Sequence, residues 1–321
     1  MPRLATFMLA LGLAIAMAGP ASAQTLASVT AQVDVRVPGS LAAAEAFAKA
    51  NPKNAAAWSL LARARIHAGQ ADKAIDAAER ATKLAPNDAQ AFRWLGTSYG
   101  ARIGQVGMFG KMSIAPKLRD AFERAVQLDG DLLEARNALI EFYAQAPGAL
   151  GGGIDKAKAQ AVQIGKRDAA QGQLAHARIA LFEKRQADAL KHFAAALAAK
   201  PADPKVRMAV AAGYQQLERW DDAFRLLRAW TGEATAPGMA WYQLGRAAAV
   251  SGQALDEGAA ALEKFLAMPR ERDDPEPKNA LYRLGQIHAR AGRKPQAKVA
   301  FDRALALDPK YEDAKAERAK L

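Results

Sequence analysis

Residues 281–309 read LYRLGQIHARAGRKPQAKVAFDRALALDP. Leu284-Gly285 lies in one apolar-periodic run, and Ala297, Phe301 and Ala304 in a second. Gly292, with the Arg-Lys-Pro that follows it, breaks the chain between them, and Pro309 ends the stretch. Apolar residues returning every three or four positions describe a helix with one buried face. Gly beside Pro marks a turn. The stretch therefore predicts two short helices packed against each other, small residues of one facing bulky residues of the other.

That register can be carried upstream. Ala297, followed by Phe301 and Pro309, has counterparts in Gly258/Leu262, Ala223/Leu227, Ala189/Phe193/Pro201 and Ala157/Ala161. Further back come Leu118/Phe122/Gly130, Ala74/Ala78/Pro86 and Ser40/Ala44/Pro52. From Ser40 the successive steps are 34, 44, 39, 32, 34, 35 and 39 residues. First helices match as well, with Trp58, Leu61 and Ala62 in one, Phe92, Leu95-Gly96 and Tyr99 in the next, and Trp241 with Leu244-Gly245 later. Ala62, Gly96, Ala211, Gly245 and Gly285 are the small slots expected to face bulky partners.

These residues resemble the tetratricopeptide repeat (TPR), whose period is about 34 residues and whose first helix carries W-x2-L-G-x2-Y. The resemblance covers roughly residues 40–321, and the helix around Leu174 is its weakest part. It implies an all-α fold, an α-solenoid of antiparallel helix pairs in a right-handed superhelix. The expected organisation is a half repeat plus about seven pairs over 40–310. A leader segment over 24–39 precedes the array, and a charged capping helix over 311–321 follows it.

Composition agrees. Hydrophobic residues make up 51% of the chain but aromatics only 7%, so the apolar mass is mostly Ala and Leu, which favour closely packed helices. One strand-like run, Ser28–Val37, is short and single. There is no cysteine, which excludes disulfides, thiolate metal sites and cysteine nucleophiles. Residues 1–23 have a basic start, an apolar run from Leu4 to Gly19 and Ala21-Ser22-Ala23 at the end, the pattern of a secretory signal peptide. A periplasmic protein is the expectation, and no later stretch is apolar enough to span a membrane. Without Arg3 the net charge falls from +12 to +11, from 44 basic and 33 acidic residues. Such a balance favours acidic partners. No groove-reading motif accompanies it, so nucleic acid is not an expected partner.

Two connections are irregular. The 44-residue step places extra residues between Ala101 and Pro116, expected as a loop that either contacts a partner or fills a gap, with Met108, Phe109, Lys111 and Met112 as contact candidates. The run APGALGGG at 146–153 precedes a helix but lacks the Lys-Ser/Thr of a P-loop, so a flexible turn is expected. Its APG-x-x-GGG-x-x-KA arrangement resembles that of exported bacterial TPR proteins. A third connection, Met268–Pro277, reads as a solvated spacer.

His67, His176, His192 and His288 show no metal-ligand spacing, and there is no G-x-S-x-G elbow. No catalysis, metal or cofactor is expected. The resemblance instead assigns to a concave groove Arg63, Arg93, Trp94, Asn137, Glu141, Arg178, Lys205, Tyr242, Arg246, Tyr282 and Arg283. That list is basic with aromatics interleaved, which suits a protein or peptide partner with an acidic or C-terminal carboxylate segment. The Lys/Asn clamp of chaperone-binding TPR domains is not reproduced, since Ser59, Arg63 and Trp94 hold the matching slots. The expected role is a non-enzymatic scaffold or adaptor of the cell envelope. The alternative is a basic envelope protein contacting anionic polymers or a membrane surface.

Overall fold

The computed structural model describes residues 25–199, 204–271 and 274–321, and every regular element among them is helical. The leader read from residues 1–23 lies outside these. Helices follow one another in antiparallel pairs: α1 (Leu26–Asp34) with α2 (Ser40–Ala50), α3 (Ala55–His67) with α4 (Ala71–Leu84), and α5 (Ala89–Ile103) with α6 (Met108–Leu128). Next come α7 (Leu133–Gln145) with α8 (Ile154–Arg167), and α9 (Ala169–Phe182) with α10 (Gln186–Ala198). The last pairs are α11 (Pro204–Gln216) with α12 (Trp220–Thr231), α13 (Gly238–Ser251) with α14 (Leu255–Ala267), and α15 (Pro277–Arg290) with α16 (Lys294–Leu307). A short α17 (Glu312–Arg318) lies on α16.

First helices also pack on first helices, α1 on α3, α3 on α5, α7 on α9, and so on through α13 on α15. The fold is an α-solenoid in which each pair completes its neighbour's core. The second-helix markers lie where the repeat requires them. Ala74, Leu118, Ala157, Ala189, Ala223 and Ala297 are buried, and so are Phe122, Phe193, Leu227 and Phe301 four residues beyond four of them, and Leu262 four beyond Gly258. A side chain on Gly96 would start 2.8 Å from the Phe122 ring, and one on Gly285 would start 2.5 Å from Phe301. Gly245 meets Leu262 in the same way at 2.3 Å. In the α11/α12 pair Ala211 is buried, but the tightest approach is at Gly213, against Phe193 of the preceding second helix.

The turn inside a pair has its own slot. Gly69 and Gly292, each five residues before its marker, take φ of +72° and +74°. Lys184 and Glu218 fill the same slot at +59° and +55°, where an L side chain costs roughly 1–2 kcal/mol.

Four expectations are corrected. Residues 24–39 are not a plain leader, because α1 occupies most of them and the Ser40–Ala50 helix is therefore paired. Thr25 and Ser28 form a reciprocal capping box, and Val29 and Val33, one turn apart, enter the core with Ala44, Phe47 and Leu61. That packing overrides the β preference of the Ser28–Val37 run. The extra residues before Pro116 are not a loop but two added turns at the start of α6, with Pro116 inside the helix. The glycine run is a built turn: Gly148–Leu150 form a 3-10 turn, Gly152 packs against the Ala146 carbonyl, and Arg119 Nη1 donates to the Leu150 carbonyl at 3.1 Å. In the third connection residues 269–271 and Pro277 are exposed as a solvated spacer would be, but Asp274 is buried and accepts from the Glu271 amide at 2.8 Å, so the spacer is anchored there.

Asp34–Arg36 at the end of α1 and Arg270 with Asp274–Asn279 before and within α15 line one common cleft. The array has therefore come back alongside its own start.

Candidate binding face

The first-helix arginines share a structural device. Arg63, Arg178 and Arg246 each follow directly the small residue of their helix, Ala62, Ala177 or Gly245. Each reaches back to the preceding first helix: Arg63 pairs with Asp34, Arg178 Nη1 donates to Asn137 Oδ1 at 2.9 Å, and Arg246 Nη1 donates to Gln215 Oε1 at 2.6 Å. All three are half-buried. The planar guanidinium, with donors in a fixed fork, can hold one neighbour and still present other N–H groups.

Around this ladder the other expected residues fall into clusters. Arg63 and Arg93 both lie over the Trp94 ring, 5.4 Å and 4.0 Å from its centroid, and Arg93 Nε donates to Gln90 Oε1 at 2.7 Å. A shallow depression here is lined by Thr30, Ser59, Arg63, Gln90 and Trp94 of three first helices. At the other end, Arg283 donates to Gln286 Oε1 at 2.8 Å and lies over Tyr282, whose hydroxyl accepts from Gln286. Tyr242 and Tyr282 are buried against Phe265 and Phe301, so they serve the core more than an open surface. Lys205 and Glu141 are exposed. Met108, Phe109, Lys111 and Met112 stand apart on the α6 extension.

The charges on this face are distinctive. Arg93, Arg178, Arg246 and Arg283 make no ion pair among the described residues and are held by the amide side chains of Gln90, Asn137, Gln215 and Gln286. Burial holds the Arg93 and Arg246 guanidiniums below their ordinary range, and the nearby charge of Arg283 adds to the effect on Arg246. Elsewhere arginines sit on carboxylates: Arg228 on Glu257 at 2.7 Å, Arg318 on Asp302 at 2.9 Å and Arg102 on Asp72 at 2.7 Å.

Two polar pairs escaped sequence reasoning. The Tyr99 hydroxyl donates to Glu79 at 3.0 Å, and Tyr143 donates to Glu123 at 2.6 Å, both across a repeat junction. Burial, then the carboxylate, pushes the Tyr99 hydroxyl up to about 12. Both pairs span 20 residues, a constant offset that could have found them. His176 and His192, on α9 and α10, stack with centroids 5.3 Å apart. Among the described residues no group of three or more His, Asp or Glu could hold a metal ion, and no helix is long and apolar enough to cross a membrane.

Comparisons with known proteins agree with this architecture. Models of the tetratricopeptide repeat match residues 36–97 and 279–311. Yeast Tom70 superposes with a TM-score of 0.61 at 14% identity, covering 93% of this chain and 65% of Tom70. A tetratricopeptide repeat protein from Parabacteroides merdae gives a TM-score of 0.45 at 14% identity, covering 80% of this chain and 94% of that one. A comparison with curated protein sequences finds no match. The chain is thus a solenoid of TPR fold, a generic protein–protein interaction module.

Proposed function

We propose that this TPR solenoid is a scaffold or adaptor of the cell envelope whose first-helix face binds a partner protein through an acidic or C-terminal carboxylate segment. The observation that carries this reading is the set of four guanidiniums, Arg93, Arg178, Arg246 and Arg283, held by neutral amides and making no ion pair among the described residues. A half-buried cation without a counter-ion is unfavourable alone and is relieved by an arriving carboxylate, for which the guanidinium fork is the natural partner. The apolar run and Ala-Ser-Ala of residues 1–23 support the envelope location.

The test is co-purification from envelope extract with the wild-type chain and with Arg93→Glu/Arg246→Glu. Loss of one defined partner from the variant, with an unchanged melting temperature, is the expected result. Retention of every partner at all salt concentrations would sink the reading.

A further inference from the structure

We propose that the first two turns of α6 dock the protein on an anionic lipid surface. Phe109 is 90% exposed, Met108 72% and Met112 51%, in a molecule whose other large apolar side chains are mostly in the core. At about 100° per residue the three occupy a single arc of roughly 100° on the helix, with Lys111 on one side and Lys117 on the other. From Ala89 to Arg119 there is no acidic residue. Arg102 and Arg119 in that span are engaged by Asp72 and Asp120, whereas Lys111 and Lys117 are exposed and make no ion pair among the described residues.

The segment is held in place rather than loose. Val106 packs against the open face of Gly110, and Gln105 Nε2 donates to the Gly69 carbonyl in the turn of the preceding pair at 3.2 Å. What it presents is a protruding apolar knob with lysines beside it, not a concavity. A small molecule or an extended peptide seeks a cleft. A knob of Phe and Met flanked by lysines matches the interface of a bilayer, where apolar side chains enter the acyl boundary and ammonium groups stay among anionic headgroups. Each lysine near such a surface is worth about fivefold in affinity. This surface is separate from the first-helix face, so the two proposals stand or fall independently.

The chain has no cysteine, so a single introduced thiol labels one site. An environment-sensitive fluorophore on Met112→Cys in the full chain is titrated with vesicles of phosphatidylglycerol and phosphatidylcholine, and with phosphatidylcholine alone. The same label on Val299→Cys of α16 is the reference. A blue shift and several-fold brightening at 112 but not at 299, with the anionic vesicles only, is expected. Adding Phe109→Ser should weaken that response about tenfold, and Lys111→Glu/Lys117→Glu by about twenty-five-fold or more. No change at 112, or equal changes at 112 and 299, overturns the proposal. A change at 112 that grows with protein concentration without vesicles overturns it too, and assigns the knob to a second copy of this chain.

Discussion

The α15/α16 and α5/α6 pairs are closed by the same joint, a first-helix glycine beneath a second-helix phenylalanine. Gly285 lies under Phe301, and Gly96 lies under Phe122. Their surroundings differ. In α15/α16 the second helix starts right after its turn, and all its bulky aromatic mass is spent on the core. In α6 the helix begins two turns earlier, and its second phenylalanine, Phe109, stands in solvent. The repeat joint is thus a fixed cost of architecture, while length added outside it is free to take on other work. A tolerant loop is not needed for this, because a helix can grow past its own core without disturbing the register.

The comparison is broken most sharply by truncating the two phenylalanines. Phe301→Ala should cost about 3–5 kcal/mol, since a fully buried ring leaves a cavity among Leu281, Tyr282 and Ala314. Phe109→Ala should lie within about 0.5 kcal/mol of the parent, as exposed positions do. Urea unfolding of both variants measures the contrast, and equal losses would mean that the α6 extension is part of the core.

Next in size is the joint itself. Gly285→Leu and Gly96→Leu should each overpack their pair and destabilise by about 1–3 kcal/mol. Thermal unfolding of the two variants side by side tests whether the joints are equivalent. An unchanged midpoint in either would mean that its phenylalanine can step aside.

The smallest effect concerns one slot filled differently in the two pairs. Tyr99 of α5 donates to Glu79 of the preceding second helix, whereas α15 has His288 there, accepting from Arg293 Nε at 3.1 Å. Burial first, then the charge of Arg293, lowers the His288 pKa below 6.5. His176 and His192 are lowered as well, mainly by burial. A histidine whose folded pKa lies below its unfolded value contributes its full stability above pH 6.5 and loses it as pH falls through the folded value. Stability should therefore decline from pH 7 to pH 5. His288→Tyr should flatten that decline, and Glu263, at the place of Glu79 and Glu123 in its helix, is positioned to accept the new hydroxyl. A pH series of melting curves on parent and variant decides it, and identical slopes would remove His288 from the account.

The regular pairs were legible because their signal is local. A buried alanine and a bulky residue four positions on belong to one helix, and the period carries them along the chain. α1 was not legible, because Val29 and Val33 lie in a β-branched run and only their partners in α2 and α3 make them helical. The α6 extension was hidden by Gly104, Gly107 and Gly110, which punctuate a sequence even where Val106 covers the last of them. On the first-helix face the arginine slots and Asn137 could be indexed, but Gln90, Gln215 and Gln286 could not, nor which amide holds which arginine. Asn137 lies 41 residues from Arg178, and Gln215 lies 31 from Arg246, so no constant offset links donor to acceptor.

The cleft shared by Asp34–Arg36 and Arg270–Asn279 has a mechanical consequence. The two sides of this cleft are joined only through the pairs that lie between them in the array. Separating α1 from α15 distributes the displacement over every intervening pair, each yielding by a small angle. The width of that cleft therefore reports the sum of the packing angles between all the pairs that separate its two sides.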